Sequence, residues 1–273
     1  MTTMPVLTPP GARTLPHPPL AAHRRLLTAA GLVGPAALLF LLPQTALRAG
    51  VLVAALVAWS AARQQLTPVF QCAAVWAAVY LFSALVGPDP WPAPALVGLL
   101  LGGAVISRRP AARRQLRERW LHRGDPNRTT WLLVLATVVI SSGAILIWSA
   151  VEHPDTASFR QTFGGLPWPL LIPLGVLLAA INAVAEESLF RGLLMSALAD
   201  LIGRDAVIIG LQGIAFGLLH ATGFPGGPSG MVLAAIYGLM LGTIRKQSGG
   251  MLANWVAHLA ADSLIFCILV GLL

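Results

Sequence analysis

The sequence predicts an all-α protein, a polytopic transmembrane helical bundle with eight or nine spans. Three observations lead there. Of 273 residues, 56% are apolar and only 10% charged, with a mean hydropathy of +0.77. A soluble domain carries about a quarter charged residues to cover its surface. The apolar residues fall in long runs rather than in strand-length alternation, which argues against an outer-membrane barrel. Soluble enzymes, secreted modules and disordered chains are excluded on the same grounds.

Residues 1–25 form an expected Pro-rich, disordered cytoplasmic tail, with six prolines before residue 20 and no helical periodicity. No signal-peptide pattern is present, since the first apolar run follows Arg24–Arg25 without a small-residue cleavage site. Apolar runs then occupy about 26–43, 48–62, 67–86, 91–107, 131–151, 168–199, 205–221, 229–245 and 250–273. Most approach the ~20 residues a span needs. Runs 48–62 and 91–107 are short, which leaves the count at eight or nine. On this reading 26–107 is an N-terminal transmembrane extension, 108–130 an Arg-rich cytoplasmic loop, and 131–273 the functional domain.

The formal net charge is +8, from 17 Arg and a single Lys against ten acids. The arginines lie between apolar runs, so they orient the chain and meet anionic lipid headgroups; no nucleic-acid partner is expected. With the loop Arg108–Arg128 cytoplasmic, fifteen of the 18 basic residues fall inside, two outside and Arg191 within a span. That asymmetry predicts an inside N-terminus and an outside C-terminus. Arg-over-Lys and Ala/Gly/Pro-rich usage suggests a bacterial cytoplasmic membrane. Cys72 and Cys267 sit in apolar runs and read as small hydrophobes. Small residues four apart, Gly98/Gly102, Gly213/Gly217 and Gly238/Gly242, indicate closely packed helices.

The first five apolar runs hold no charge in their interiors; three of the last four are different. Run 168–199 contains Glu186, Glu187 and Arg191, the next contains His220, and the last contains His258 and Asp262. Each mid-bilayer charge costs at least about 2.5–3.5 kcal/mol to insert, so these groups must face one another or a wet cavity. Glu187 and Arg191 are i,i+4 and share a face as a charge pair. Glu186 lies about 100° round the helix, so the two carboxylates have different environments. Asn182, four residues before Glu186, shares its stripe. Glu186 and His220 are each 17 residues from the turn glycine Gly203, which places them at equal depth in a helical hairpin. Asn254, His258 and Asp262 form a stripe at i, i+4, i+8. His258 lies only about 12–13 Å past the Gly249–Gly250 turn, against about 25 Å for the hairpin. Convergence therefore requires the hairpin to project from the bilayer or to kink.

EESLFR (Glu186–Arg191), FGLLH (Phe216–His220) and HLAAD (His258–Asp262) match EExxxR, FxxxH and HxxxN/D in order. The pattern resembles the CPBP family of intramembrane proteases, which includes CAAX prenyl endopeptidases of the Rce1 type and Abi and bacteriocin-immunity relatives. The resemblance covers roughly residues 130–273. It implies that Glu186 and His220 activate a water, that His258 with Asp262 stabilises the oxyanion, and that Glu187 and Arg191 support them. Many relatives carry Asn where this chain has Asp262, and an ionised carboxylate cannot donate to an oxyanion.

The residues by themselves point to the same chemistry less sharply: a base for water, donors for an oxyanion and a proton for the leaving amine. HExxH is absent. Even so, a zinc ion held by His220, His258 and a carboxylate, Glu186 or Asp262, is open on ligand chemistry. The resemblance is compatible with either a metallo- or a glutamate endopeptidase. The expected substrate is a membrane-associated protein or peptide. Two further classes stay in view: a non-catalytic membrane scaffold or immunity protein, and an ion-coupled transporter. The charge-free first half and the lack of repeats disfavour the transporter.

Overall fold

The computed structural model describes residues 22–38, 44–86 and 92–273. The expected tail up to residue 21 and the loop around Asp89 lie outside the described residues. Every element described is helical, and no strand occurs among the described residues. In order they are α1 (Ala22–Leu38), α2 (Gln44–Arg63), α3 (Thr67–Val86), α4 (Ala93–Ser107), α5 (Pro110–Arg119), α6 (Arg128–Glu152), α7 (Ala157–Phe163) and α8 (Trp168–Glu187). A π-helical segment (Ser188–Leu194) follows, then α9 (Met195–Leu201), α10 (Asp205–Leu219), α11 (Gly227–Ser248) and α12 (Leu252–Val270).

Five stretches are long and apolar enough to cross a membrane: α3, α6, α8 through α9, α11 and α12. Gly50–Arg63, α4 and α10 are shorter apolar helices. The eight or nine spans expected from apolar runs counted these with the rest. A run of apolar residues reports burial in lipid or in protein alike, and only length separates the two. Helix α1 begins at Ala22, ahead of Arg24 and Arg25, because Ala and Arg are good helix formers whatever their depth.

The bundle is apolar on its outside. On α6 the inward stripe is Thr130, Val134, Thr137, Ser141, Ile145 and Trp148, whereas Leu135, Val139, Ile140 and Ile147 are exposed. The polar Thr130, Thr137 and Ser141 thus face the protein, while the outward residues named are all large and aliphatic, as lipid requires. Glycine makes the tightest contacts. A Cβ on Gly102 of α4 would strike the Val75 backbone of α3. Gly213 and Gly217 of α10 lie against α11, where a Cβ on Gly217 would fall 2.6 Å from the Met231 carbonyl. The small-residue pairs thus bring α3 to α4 and α10 to α11.

The segment expected as an Arg-rich loop is half helix. Pro110 at its first position starts α5, which runs to Arg119. Beyond it the chain is fastened to the turn before α12: Met251 N donates to His122 O at 2.9 Å, and Asp125 N to Ser248 O at 3.0 Å. Gly124 and Gly250 meet backbone to backbone there, with Gly124 at φ +79°, so neither position has room for a side chain. This strap fixes where α12 starts, and hence the height of His258.

One apolar core runs from α1–α4 through the π segment, α9 and α10. Trp76 of α3 packs edge-on against Phe190, with centroids 5.8 Å apart. Helices α6 and α8 both pack on α12.

Candidate active site

Helix α8 and its continuation to Leu201 form a 34-residue apolar stretch, about 51 Å long at the α-helical rise, against a hydrocarbon core of about 30 Å. It cannot lie within one straight crossing. The π segment begins directly after Glu187, and its wider turn breaks the α-helical register at the acidic pair. This change of helical register falls in the hairpin that the sequence expects either to project from the bilayer or to kink.

Glu186 and Glu187 end α8, both buried, at 4% and 0% exposure. Glu187 Oε1 accepts from Arg191 Nη1 at 2.7 Å, so the i,i+4 pair expected from spacing forms. Arg191 is itself fully buried. Its Nη2 donates to Gly238 O at 3.3 Å, and the guanidinium lies 4.4 Å from the Phe216 ring centroid. Gln212 Nε2 donates to the same carbonyl at 2.7 Å. The cation is thereby paired, hydrogen-bonded and stacked, the conditions under which a buried charge is tolerated.

The same Glu187 oxygen also accepts from His258 Nδ1 at 2.8 Å. This fixes the His258 ring and turns Nε2 toward Glu186 Oε2 and Asp262 Oδ1, each 3.5 Å away. Asp262 Oδ2 accepts from Asn182 Nδ2 at 3.0 Å, so the Asn182 amide serves Asp262 across the helix interface. Asn254, one turn before His258, donates to Leu241 O at 2.7 Å and joins α12 to α11. His220 lies just past the end of α10. Its Nδ1 faces Phe216 O at 3.0 Å, which leaves Nε2 as the nitrogen available for chemistry. Phe216 is the common wall: its ring lies 4.8 Å from the His220 ring and 6.0 Å from the His258 ring.

His220, His258 and Asp262 line a cavity of about 60 Å³ between α6, α10, α11 and α12. That space admits a few waters, since one water needs about 10–15 Å³ on this measure. Among the described residues no group of three or more His, Cys, Asp or Glu side chains that could hold a metal ion is found.

A comparison with protein families matches residues 167–264 to the Rce1-like family, described as type II CAAX prenyl endopeptidase Rce1-like. Residues 167–264 are similar to the Rce1-like family. Comparisons with curated proteins and with solved structures returned no match. The Rce1-like segment runs from the start of α8 into α12 and contains Glu186, Glu187, Arg191, His220, His258 and Asp262. Helices long and apolar enough to cross a bilayer make the chain an integral membrane protein, and its residues 167–264 are similar to a protease family.

Two residues of the Rce1-like segment escape a reading by charge and spacing. Gln212 is fully buried and binds Gly238 O beside Arg191. Tyr237 lines the cavity with its ring edge against His258, centroids 5.6 Å apart. Its signal in the sequence is faint: it is one of only two tyrosines in the chain, on an apolar helix next to Gly238.

Proposed function

We propose that this protein is an intramembrane endopeptidase that hydrolyses a peptide bond in a membrane-associated protein or peptide. The observation that carries the proposal is the buried Glu187–His258 contact, with Glu186 and Asp262 at the far nitrogen of the same ring, in the segment matched to a prenyl endopeptidase family.

In this reading Glu186, which faces His258 Nε2 at the edge of the cavity lining, takes a proton from a water, with His220 Nε2 assisting, and the water oxygen bonds to the substrate carbonyl carbon. The carbonyl π electrons move to oxygen, giving a tetrahedral oxyanion. When both its nitrogens are protonated, His258 donates through Nδ1 to Glu187 and offers Nε2–H to that oxyanion. The oxyanion then re-forms the carbonyl, the C–N bond breaks, and the proton held by Glu186 passes to the leaving amine. Glu187 and Arg191 position His258 and do not touch substrate. Asp262 accepts from Asn182 and faces His258, so it orients the imidazole rather than donating to the oxyanion. The water-excluding apolar surround makes each of these contacts stronger than it would be in water.

The test is peptide cleavage by the purified protein in liposomes, against a pooled library of membrane-associated peptides. Wild type is compared with Glu186→Ala and His220→Ala, each with and without a chelator. Cleavage by wild type that is lost in both variants supports the endopeptidase. Cleavage unchanged in both, or none by well-folded wild type, overturns it and leaves a binding role for the polar cluster. Loss of wild-type cleavage with chelator would mean that a metal ion joins the site.

A further inference from the structure

The cavity has a polar group that the mechanism above does not use. Tyr237 of α11 lines it together with His220, His258 and Asp262. The Tyr237 hydroxyl is buried and makes no hydrogen bond within the protein. Other buried polar atoms lack partners elsewhere, the Tyr80 hydroxyl in the N-terminal core among them, but among the described residues lining this cavity Tyr237 Oη is the only one. An unmade hydrogen bond at a buried hydroxyl is costly, and in a native site it marks a place where something else binds.

The other polar groups on the cavity are committed, except His220 Nε2, which the mechanism uses to assist Glu186. Ser141 Oγ donates to Val138 O at 3.3 Å. His220 Nδ1 is held by Phe216 O, and His258 Nδ1 by Glu187. Asp262 accepts from Asn182 and, as a carboxylate, has no proton to give. A tetrahedral oxyanion needs donors already in position, and beyond one imidazole nitrogen the four helices around the cavity offer few. A tyrosine hydroxyl is a suitable second one. It carries a proton, turns on a single bond, and here sits on a ring that cannot wander. That ring packs edge-on against His258 at 86° and touches three separate apolar clusters, which fixes it from several directions.

Building on the endopeptidase reading, we propose that Tyr237 is a further catalytic residue of this chain, donating a hydrogen bond from Oη to the oxyanion beside His258. No proton is transferred: the hydroxyl keeps its hydrogen, and the bond strengthens as charge develops on the substrate oxygen. Tyr237 thereby supplies the donor that Asp262, at the end of the His258–Asp262 stripe, lacks.

The experiment uses the full chain in liposomes and a peptide that wild type cleaves. Tyr237→Phe keeps the ring and its contact with His258 while removing only the hydroxyl. The expected result is a kcat lower by about a hundred-fold or more, the range for loss of one oxyanion donor, with KM within about two-fold. Two uncleaved probes separate this role from a structural one: a reduced-amide isostere of that peptide, and a phosphinate analogue that mimics the tetrahedral oxyanion. Tyr237→Phe should bind the isostere like wild type and the phosphinate about a hundred-fold more weakly. A wild-type kcat in Tyr237→Phe overturns the assignment, as does a change in KM alone or equal loss of affinity for both probes. Failure of wild type to cleave any peptide defeats the endopeptidase reading itself, a result distinct from all of these.

Discussion

His258 is held by Glu187, a residue of another helix 71 positions earlier, through an Nδ1–Oε1 contact of 2.8 Å. That oxygen is also the one that receives Arg191 at 2.7 Å. The imidazole is thus aimed by an ion pair that closes within α8 and the π segment, and the two carboxylates of the EE pair divide the work. Glu187 faces Arg191 and Nδ1; Glu186 faces Nε2 across 3.5 Å.

This division predicts different outcomes at neighbouring positions. Glu186→Ala should lower cleavage by at least about a hundred-fold, the usual contribution of a general base, while leaving thermal stability in detergent near wild type. Glu187→Ala should instead cost about 3–5 kcal/mol of stability, because it strands the Arg191 cation where no water reaches it. Parallel melting curves and turnover measurements on the two variants check both statements.

Removing the pair together should hurt less than removing either member. Glu187→Leu combined with Arg191→Met replaces two buried charges with aliphatic volume, and its stability should exceed that of either single substitution. Cleavage should stay low in the double variant, since His258 loses its Nδ1 acceptor. A double-mutant cycle read by both unfolding and activity would show the two properties separating.

His220 directly follows α10 and α11 carries Tyr237, and Gly217 sets the distance between the two helices. A Cβ at that position falls 2.6 Å from the Met231 carbonyl and 2.7 Å from Ala235 Cβ. Gly217→Val should therefore push the helices apart, at a cost of about 1–3 kcal/mol, and lower activity along with stability. Gly210 meets nothing within 4 Å, and Gly210→Ala should leave both unchanged.

The N-terminal helices lie outside the Rce1-like segment yet reach its centre. Trp76 packs on Phe190, Phe190 packs on Phe216 at 5.2 Å, and Phe216 walls both histidines. Trp76→Ala opens a cavity in this chain of rings and should destabilise by about 3–5 kcal/mol. Cleavage should fall, but less than in Glu186→Ala, because the reacting groups remain. Truncation before α6 should likewise fail to give a stable protein, which limited proteolysis and melting curves would test.

Composition and run length determined the all-helical, membrane-embedded class, since a chain with so few charges cannot cover a water-facing surface. The pairing of Glu187 with Arg191 was also legible, because i,i+4 geometry is a property of one helix and needs no neighbour. Tertiary structure decided the rest. That Asn182 serves Asp262 depends on how α8 crosses α12, and nothing in the local sequence of either helix encodes it. The π segment after Glu187 and the Gly124–Gly250 strap that sets the height of α12 are likewise products of packing. Tyr237 shows the difference most plainly: as a residue on an apolar helix it carries only a faint signal, and it becomes chemical only when its ring meets His258 at the cavity. Local periodicity fixes which residues share a helix face; which faces meet, and which polar atoms they leave without partners, is set by long-range packing alone.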